Sequence, residues 1–244
     1  MRVVMKFGGT SLADDARMLC AAEKVMARWQ AGEQVVVVVS AQGHSTDELL
    51  QKVNRLNPAP PAREMDTCLS ALEQISAGMM ALALNRLGCP AVSLTGYQAG
   101  IVTDAVHGDA RILGLGHRRI QQELDRGNAV VVAGFQGING NGDITTLGRG
   151  GSDTTAVALA ALLGAQVCEI YTDVDGVYDR DPRQFPDAVK LECVGYEEML
   201  DMAKKGAQVM HPGSIEWGML YRVPIRVRSS FREGEGTLIG DLLE

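Results

Sequence analysis

The chain has 244 residues, 46% of them hydrophobic and 22% charged, with a formal net charge of −7 at pH 7. That length buries a full core as one large domain or two small ones, and the composition is that of an ordinary soluble globular protein. The acidic balance argues against a nucleic-acid or anionic-membrane surface, while leaving room for a local basic pocket.

Arg2 to Phe7 is a short apolar run (Val3, Val4, Met5) ending in Lys6, followed by Gly8-Gly9-Thr10-Ser11 and a helical pattern over Ala13 to Ala31. Strand, glycine turn and helix together point backbone amides at an anion, and a lysine at the strand end adds a mobile positive charge. No GxxxxGK[ST] occurs in the chain, and no GxGxxG follows a strand. Taken alone, the KxGG segment reads equally well as a tight strand-to-helix turn. Gln34 to Ser40 holds five consecutive valines, the mark of a strand buried on both faces. Ser40 to Asp47 (SAQGHSTD) opens the next helix as another candidate anion or amide contact, and by itself reads rather as a plain turn capped by Ser45 or Thr46.

Pro58 to Pro61 (PAPP) forms a rigid connector too brief for a domain linker. Helical patterns follow over Met65 to Leu87, where Met79, Met80 and nearby leucines fall at core spacing, and over His117 to Arg126. Ala91 to Thr95 and Ala129 to Ala133 read as strands, and Asn139 to Asp143 (NGNGD) as a hairpin turn that adds an antiparallel strand to the sheet.

Thr145 to Ala165 (TTLGRGGSDTTAVALAALLGA) carries the strongest signal. Three glycines, Arg149 and the Ser152–Asp153 pair lead directly into an alanine-rich helix. Capping needs only one polar residue, so an arginine inside a glycine cluster points to an anion-binding loop. Val167 to Thr172 is another buried strand. It runs into YTDVDGVYDRDPR, whose acids lack calcium-loop spacing. There Tyr178 offers a ring for a base and Arg183 a fork for phosphate, beside the bland alternative of a solvated acidic loop. Tyr196 to Gly206 reads as helix and Val223 to Val227 as strand.

Alternation of buried strands with helices implies a mainly parallel sheet covered on both sides, with ligands at the strands' carboxyl ends. Lys6, Ser40, Thr95-Gly96 and Thr172-Asp173 fall at those ends. The five cysteines are odd in number and contain no CxxC, and most are expected as reduced core residues of a cytosolic protein. No apolar run is expected to reach membrane-spanning length, and no leader pattern opens the chain. The histidines lack metal-ligand spacing, His211 reads as a helix-start residue, and Arg118-Arg119 and Lys204-Lys205 read as solvated helix faces.

Several of these segments together resemble the aspartate kinase catalytic domain of the amino acid kinase family. The resemblance rests on KFGGTS (Lys6 to Ser11), Val39 to Leu49, EQISA (Glu73 to Ala77), AGFQGIN (Ala133 to Asn139), Thr145 to Ala161 and Cys168 to Arg183. It continues through Tyr196 to Pro212 and RVRSSF (Arg226 to Phe231), so it covers nearly the whole chain. The NPAPPAREM stretch (Asn57 to Met65) is similar to the monofunctional, lysine- and threonine-controlled type.

The resemblance implies an α/β fold, a three-layer α/β/α sandwich with an open, mainly parallel central sheet of the carbamate kinase-like kind. It implies one catalytic domain over residues 1–244, with aspartate bound mainly by the N-terminal part and ATP mainly by residues from about 150 onward. The implied reaction moves the ATP γ-phosphoryl group to the β-carboxylate of L-aspartate. Lys6 and Asp153 would be catalytic. Lys6, Phe7, Gly8, Gly9, Thr10, Thr172, Asp173, Tyr178, Arg183 and Gln208 would meet ATP. Ser40, Thr46, Glu73, Arg149, Gly150 and Ser152 would meet aspartate, with Glu73 on its ammonium and Arg149 on its α-carboxylate.

Mg2+ would be held mainly by ATP phosphates, with no protein metal ligand. A cytoplasmic location and a homodimer are expected, with no nucleic-acid or membrane partner. Family members continue into paired regulatory ACT domains, and this sequence is expected to lack them. The pattern departs at Gln208, where a lysine is usual, at Leu72 before Glu73, at Gln42 and at Gly213. A sibling amino-acid kinase, or a catalytically weak binding subunit, stands as the alternative.

Overall fold

The computed structural model describes residues 1–207 and 209–241. In chain order these form β1 (Arg2–Phe7), α1 (Asp15–Gln30), β2 (Gln34–Val39), α2 (Ser45–Leu56), α3 (Ala62–Arg86), β3 (Ala91–Leu94), β4 (Ile101–Thr103), β5 (Ile112–Leu115), α4 (Arg118–Asp125) and β6 (Ala129–Ala133). The second half continues as β7 (Gln136–Ile138), β8 (Ile144–Thr146), α5 (Gly151–Leu163), β9 (Val167–Thr172), β10 (Cys193–Gly195), α6 (Tyr196–Lys204), α7 (Pro212–Tyr221), β11 (Ile225–Ser229) and β12 (Thr237–Gly240).

Eight strands form the central sheet in the order β10-β12-β11-β9-β1-β2-β6-β3. All its pairs are parallel except β11 with β12. Period-two alternation divides the core. Val35, Val37 and Val39 of β2 face α1 and α3, joined by Val3, Met5 and Phe7. Val36 and Val38 face α4 to α7, joined by Val4. All five valines are fully buried, which explains why the strand needs no polar face. The result is the expected three-layer α/β/α sandwich with a mainly parallel sheet.

Four expectations need correction. The NGNGD hairpin does not join the central sheet. Its strands, β7 and β8, belong to a separate four-stranded sheet in the order β5-β4-β7-β8. The predicted Val223–Val227 strand is instead β11, because Pro224 has no N–H for the ladder. Cys20, Cys68 and Cys193 are exposed, and only Cys89 and Cys168 are buried. Finally, α3 is, by length and composition, long and apolar enough to cross a membrane, contrary to the sequence expectation. Here it lies against the sheet through Ala77, Met80, Ala81 and Leu84, and it buries the carboxylates of Asp66 and Glu73.

Candidate active site

Alternation along β1 decides where its lysine goes. Met5 and Phe7 point toward α1 and α3, so Lys6 shares the opposite face with Val4 and meets the first turn of α5. Lys6 is 9% exposed, and its Nζ lies 2.7 Å from Asp153 Oδ1. The distance is that of a close ion pair, between side chains only 11% and 13% exposed.

The chain turns sharply after β1. A Cβ on Gly9 would lie 2.6 Å from the Ala41 carbonyl, so only glycine lets this turn approach the loop after β2. The Gly43 amide donates to the Gly9 carbonyl (2.9 Å), and Gln42 Nε2 donates to the Leu12 carbonyl (3.0 Å). The departure at Gln42 therefore ties the two loops together. Neither Ser45 nor Thr46 caps α2. The cap position is His44, without a side-chain bond, and Thr46 instead faces a cavity.

The second sheet delivers the other wall. β8 ends at Thr146 and passes into Gly148-Arg149-Gly150, which opens α5. Gly150 is left-handed (φ 71°), and a Cβ there would strike the His211 ring. First-turn amides without intrahelical partners and the positive end of the helix dipole make the start of α5 an anion receiver. Arg149 is exposed and makes no ion pair among the described residues.

Between these walls lies a cavity of about 350 Å³. It gathers Lys6, Gly9, Ser40, Thr46, Glu73, Arg149, Gly150, Ser152 and Asp153 from the sequence-derived set. Gly148 and Gly151, from the glycine loop marked in the sequence, complete the lining with Ala41, Gly43 and Phe135, which were not singled out as contact residues. Phe135 has positive φ (70°), a non-glycine outlier whose only sequence trace is the AGFQG segment.

Glu73 comes from the middle of α3 and is 5% exposed. Its Oε1 accepts from the Ala41 amide at 3.1 Å, and its Oε2 is buried without a partner. Burial pushes its carboxyl up to about 7, an effect only partly offset by the Ala41 amide.

Other expected residues lie outside the cavity. Phe7 is fully buried and stacks on Tyr171 at 4.7 Å, so only its main chain can meet a ligand. Gly8 and Thr10 belong to the turn without lining the cavity, and the Gly8 amide donates to the Tyr171 carbonyl (3.2 Å). That bond sets the end of β9, with Thr172 and Asp173, beside the glycine turn. Tyr178 donates its hydroxyl to Asp175 (3.0 Å). The Arg183 fork is engaged by Asp181, from Nε at 3.0 Å and Nη2 at 3.2 Å, rather than open. Gln208 lies outside the described residues.

A supporting network also escaped sequence reasoning. Asp66, fully buried on α3, accepts from Thr146 Oγ1 (2.6 Å) and from the Gly108 amide (3.1 Å), and it meets His107 Nδ1 at 2.7 Å. It holds the segment beside Gly148 and so fixes the glycine loop from below. Among the described residues, no group of three His, Cys, Asp or Glu side chains is placed to hold a metal.

These features define a three-layer α/β protein that gathers helix-start amides, Lys6 and Arg149 where its parallel strands end. The chain belongs to the amino acid kinase family, whose model matches residues 1–229. It is 52% identical over 243 residues to an aspartokinase of Corynebacterium efficiens, covering 99% of this chain and 58% of that protein. Aspartate kinase from Synechocystis superposes with a TM-score of 0.89 at 43% identity, covering 100% of this chain and 40% of that one. Escherichia coli aspartokinase III in complex with aspartate and ADP superposes equally well (TM-score 0.89) at 27% identity, covering 100% of this chain and 65% of that one. This chain thus spans a little over half the length of the curated relatives it matches.

Proposed function

We propose that this chain is the catalytic unit of an aspartate kinase, moving the γ-phosphoryl group of ATP to the β-carboxylate of L-aspartate to give 4-phospho-L-aspartate. The observation that carries the reading is a pair lining one cavity: Glu73, buried with one oxygen unpartnered, and Arg149, neither that oxygen nor the guanidinium being answered by an ion pair among the described residues. Such a pair receives an α-amino acid as a zwitterion, with the ammonium on Glu73 and the α-carboxylate in the Arg149 fork. The side-chain carboxylate then turns toward Lys6 and the start of α5.

A carboxylate is already a nucleophile at neutral pH, so the site needs no general base. Its tasks are alignment and stabilisation of negative charge. Lys6 supplies a positive charge to the transferring group, and Asp153 holds the ammonium in the cavity until ligand arrives. Gly8, Gly9 and Thr10 offer amides and a hydroxyl to phosphate, while Ser40, Thr46, Gly150 and Ser152 border the amino acid. Thr172, Asp173, Tyr178 and Arg183 form the nucleotide side, with Gln208 where the family's lysine usually reaches phosphate. Mg2+ would be held mainly by ATP oxygens and water, as this ion often is. Residues before about 150 chiefly serve aspartate and those after it ATP. A cytoplasmic location and a homodimer accompany this reading.

The test is ADP release with MgATP and L-aspartate, with the acyl phosphate trapped by hydroxylamine, alongside Gln208→Lys. Aspartate-dependent hydroxamate from the unmodified chain is the expected result. No product from either form would overturn the reading in favour of a binding subunit.

Gly150→Ala probes the loop directly. Left-handed strain of about 1–2 kcal/mol, together with the clash at His211, is expected to lower the thermal midpoint by roughly 3–6 °C. It should also raise the KM for aspartate about tenfold or more. A variant with wild-type KM and midpoint would show that the loop accommodates a side chain and does not position substrate.

A further inference from the structure

Arg149 is exposed and makes no ion pair among the described residues, so no protein partner fixes its side chain. Gly148 (φ 68°) and Gly150 (φ 71°) flank it, and the loop itself lends the arginine little stiffness. Where the guanidinium sits is therefore decided by whatever holds the backbone on either side. On one side that is the start of α5. On the other it is Thr146, the last residue of β8 and 1% exposed.

Thr146 is held twice. Its Oγ1 donates to Asp66 Oδ1 at 2.6 Å, and its carbonyl accepts from the Ala110 amide at 2.8 Å. The Gly108 amide donates to both Asp66 oxygens at 3.1 Å, and His107 Nδ1 meets Oδ2 at 2.7 Å. One fully buried carboxylate thus gathers the strand end and the 107–110 segment. That segment lies directly against the loop, since a Cβ on Gly148 would fall 2.6 Å from Asp109 Oδ1. A buried carboxylate is costly unless its lone pairs are filled, and every group that fills them here belongs to a segment backing Arg149.

The other end of the tie is the helix that carries Glu73. Asp66 and Glu73 are seven residues apart on α3, two turns and about 10 Å along the axis, so both point to the same side. Between them the Ser70 carbonyl accepts from Gln136 Nε2 at 2.8 Å, and Gln136 is the buried neighbour of cavity-lining Phe135. A single helix therefore presents one half of the amino-acid pair and fixes the backbone from which the other half extends. We infer that Asp66 is a positioning residue for aspartate: through Thr146 it sets the separation between the Glu73 carboxylate and the Arg149 guanidinium at which a zwitterion is received. The inference rests on the aspartate kinase reading and assigns Asp66 to substrate capture, not to phosphoryl transfer.

The experiment is steady-state kinetics of aspartate-dependent hydroxamate formation, with each substrate varied in turn. Thr146→Val matches the side chain in volume and leaves Asp66 its other partners, but removes the tie to β8. It is expected to raise the KM for aspartate about tenfold, with kcat and the KM for ATP within about twofold of wild type. Thr146→Ser retains a hydroxyl and should keep the KM for aspartate within about threefold of wild type. Asp66→Asn should shift the same parameter in the same direction, and Thr146→Val keeps the test open if that buried variant fails to fold. Because Asp66 acts through Arg149, adding Thr146→Val to Arg149→Ala should leave the KM for aspartate where Arg149→Ala alone puts it, whereas a general loosening of the fold would add to it. An unchanged KM for aspartate in Thr146→Val, an equal rise in both KM values, or full additivity with Arg149→Ala would each overturn the inference while leaving the kinase reading intact. A wild type that yields no aspartate-dependent hydroxamate would overturn that reading, and this inference with it.

Discussion

Replacing Lys6 with methionine is expected to lower turnover about a thousandfold, roughly 4 kcal/mol of lost transition-state stabilisation. Methionine matches the lysine stem in volume and keeps the packing beside Val4, but it carries no charge. The same substitution leaves the Asp153 carboxylate, with a side chain only 13% exposed, without its cation. Breaking a buried pair costs about 3–5 kcal/mol, and less here because the pair borders an open cavity. A loss of stability and a loss of catalysis therefore arrive together. Lys6→Met with Asp153→Asn separates them: the thermal midpoint recovers, while turnover stays low. Turnover within tenfold of wild type in the single variant would remove Lys6 from the chemistry altogether.

Glu73→Gln is expected to move function and stability in opposite directions. Glutamine keeps an oxygen for the Ala41 amide but offers an ammonium no charge, so the KM for aspartate should rise about a hundredfold. Stability follows from the carboxyl being pushed up to about 7 by burial. The folded protein holds that proton more tightly than the unfolded chain does. The associated stability is therefore complete below the ordinary carboxylate range and is lost as pH rises through about 7, on the order of 3 kcal/mol in all. Urea unfolding at pH 5 and pH 8 should show wild type losing stability across that interval and the glutamine variant losing less, so that the variant is the more stable at pH 8. Aspartate affinity in the wild type should fall as pH drops below 7, because the ammonium needs the ionised carboxylate. A variant less stable than wild type at pH 8, or an unchanged KM, would contradict the assignment.

The two glycine loops of the cavity were legible in the sequence because each sets glycines beside a cation at a strand end or a helix start, although the Gly8-Gly9 turn alone reads equally well as a plain strand-to-helix turn. The central strands were legible for a similar reason, since runs of valine buried on both faces leave little ambiguity. Glu73 was another matter. It sits within a 25-residue helix, where an isolated acid looks like any solvated position, and only the resemblance singled it out. Asp66 lies on the same helix and carries no sequence signal, because its partners are 41 to 80 residues away. The second sheet was missed because β4, β7 and β8 are three residues each, too short to show a period. Arg183 was read as open because sequence alone does not show that Asp181, two residues earlier, claims the guanidinium first.

The uniformity of β2 has a consequence for how the chain reaches this fold. Its five valines are chemically identical, so sliding the strand by one residue against β1 exchanges one valine for another and scarcely changes which side chains are buried. The correct alignment is therefore set at the ends of the strand. Gln34 Oε1 accepts from Arg2 at one end, and the Ser40 amide donates to the Phe7 carbonyl at the other. Until β1 and those polar ends are in place, the segment is an uncharged, strongly strand-forming run able to pair with copies of itself. The native register is chosen at the strand's two ends, and without them a strand buried on both faces becomes one exposed to misassembly.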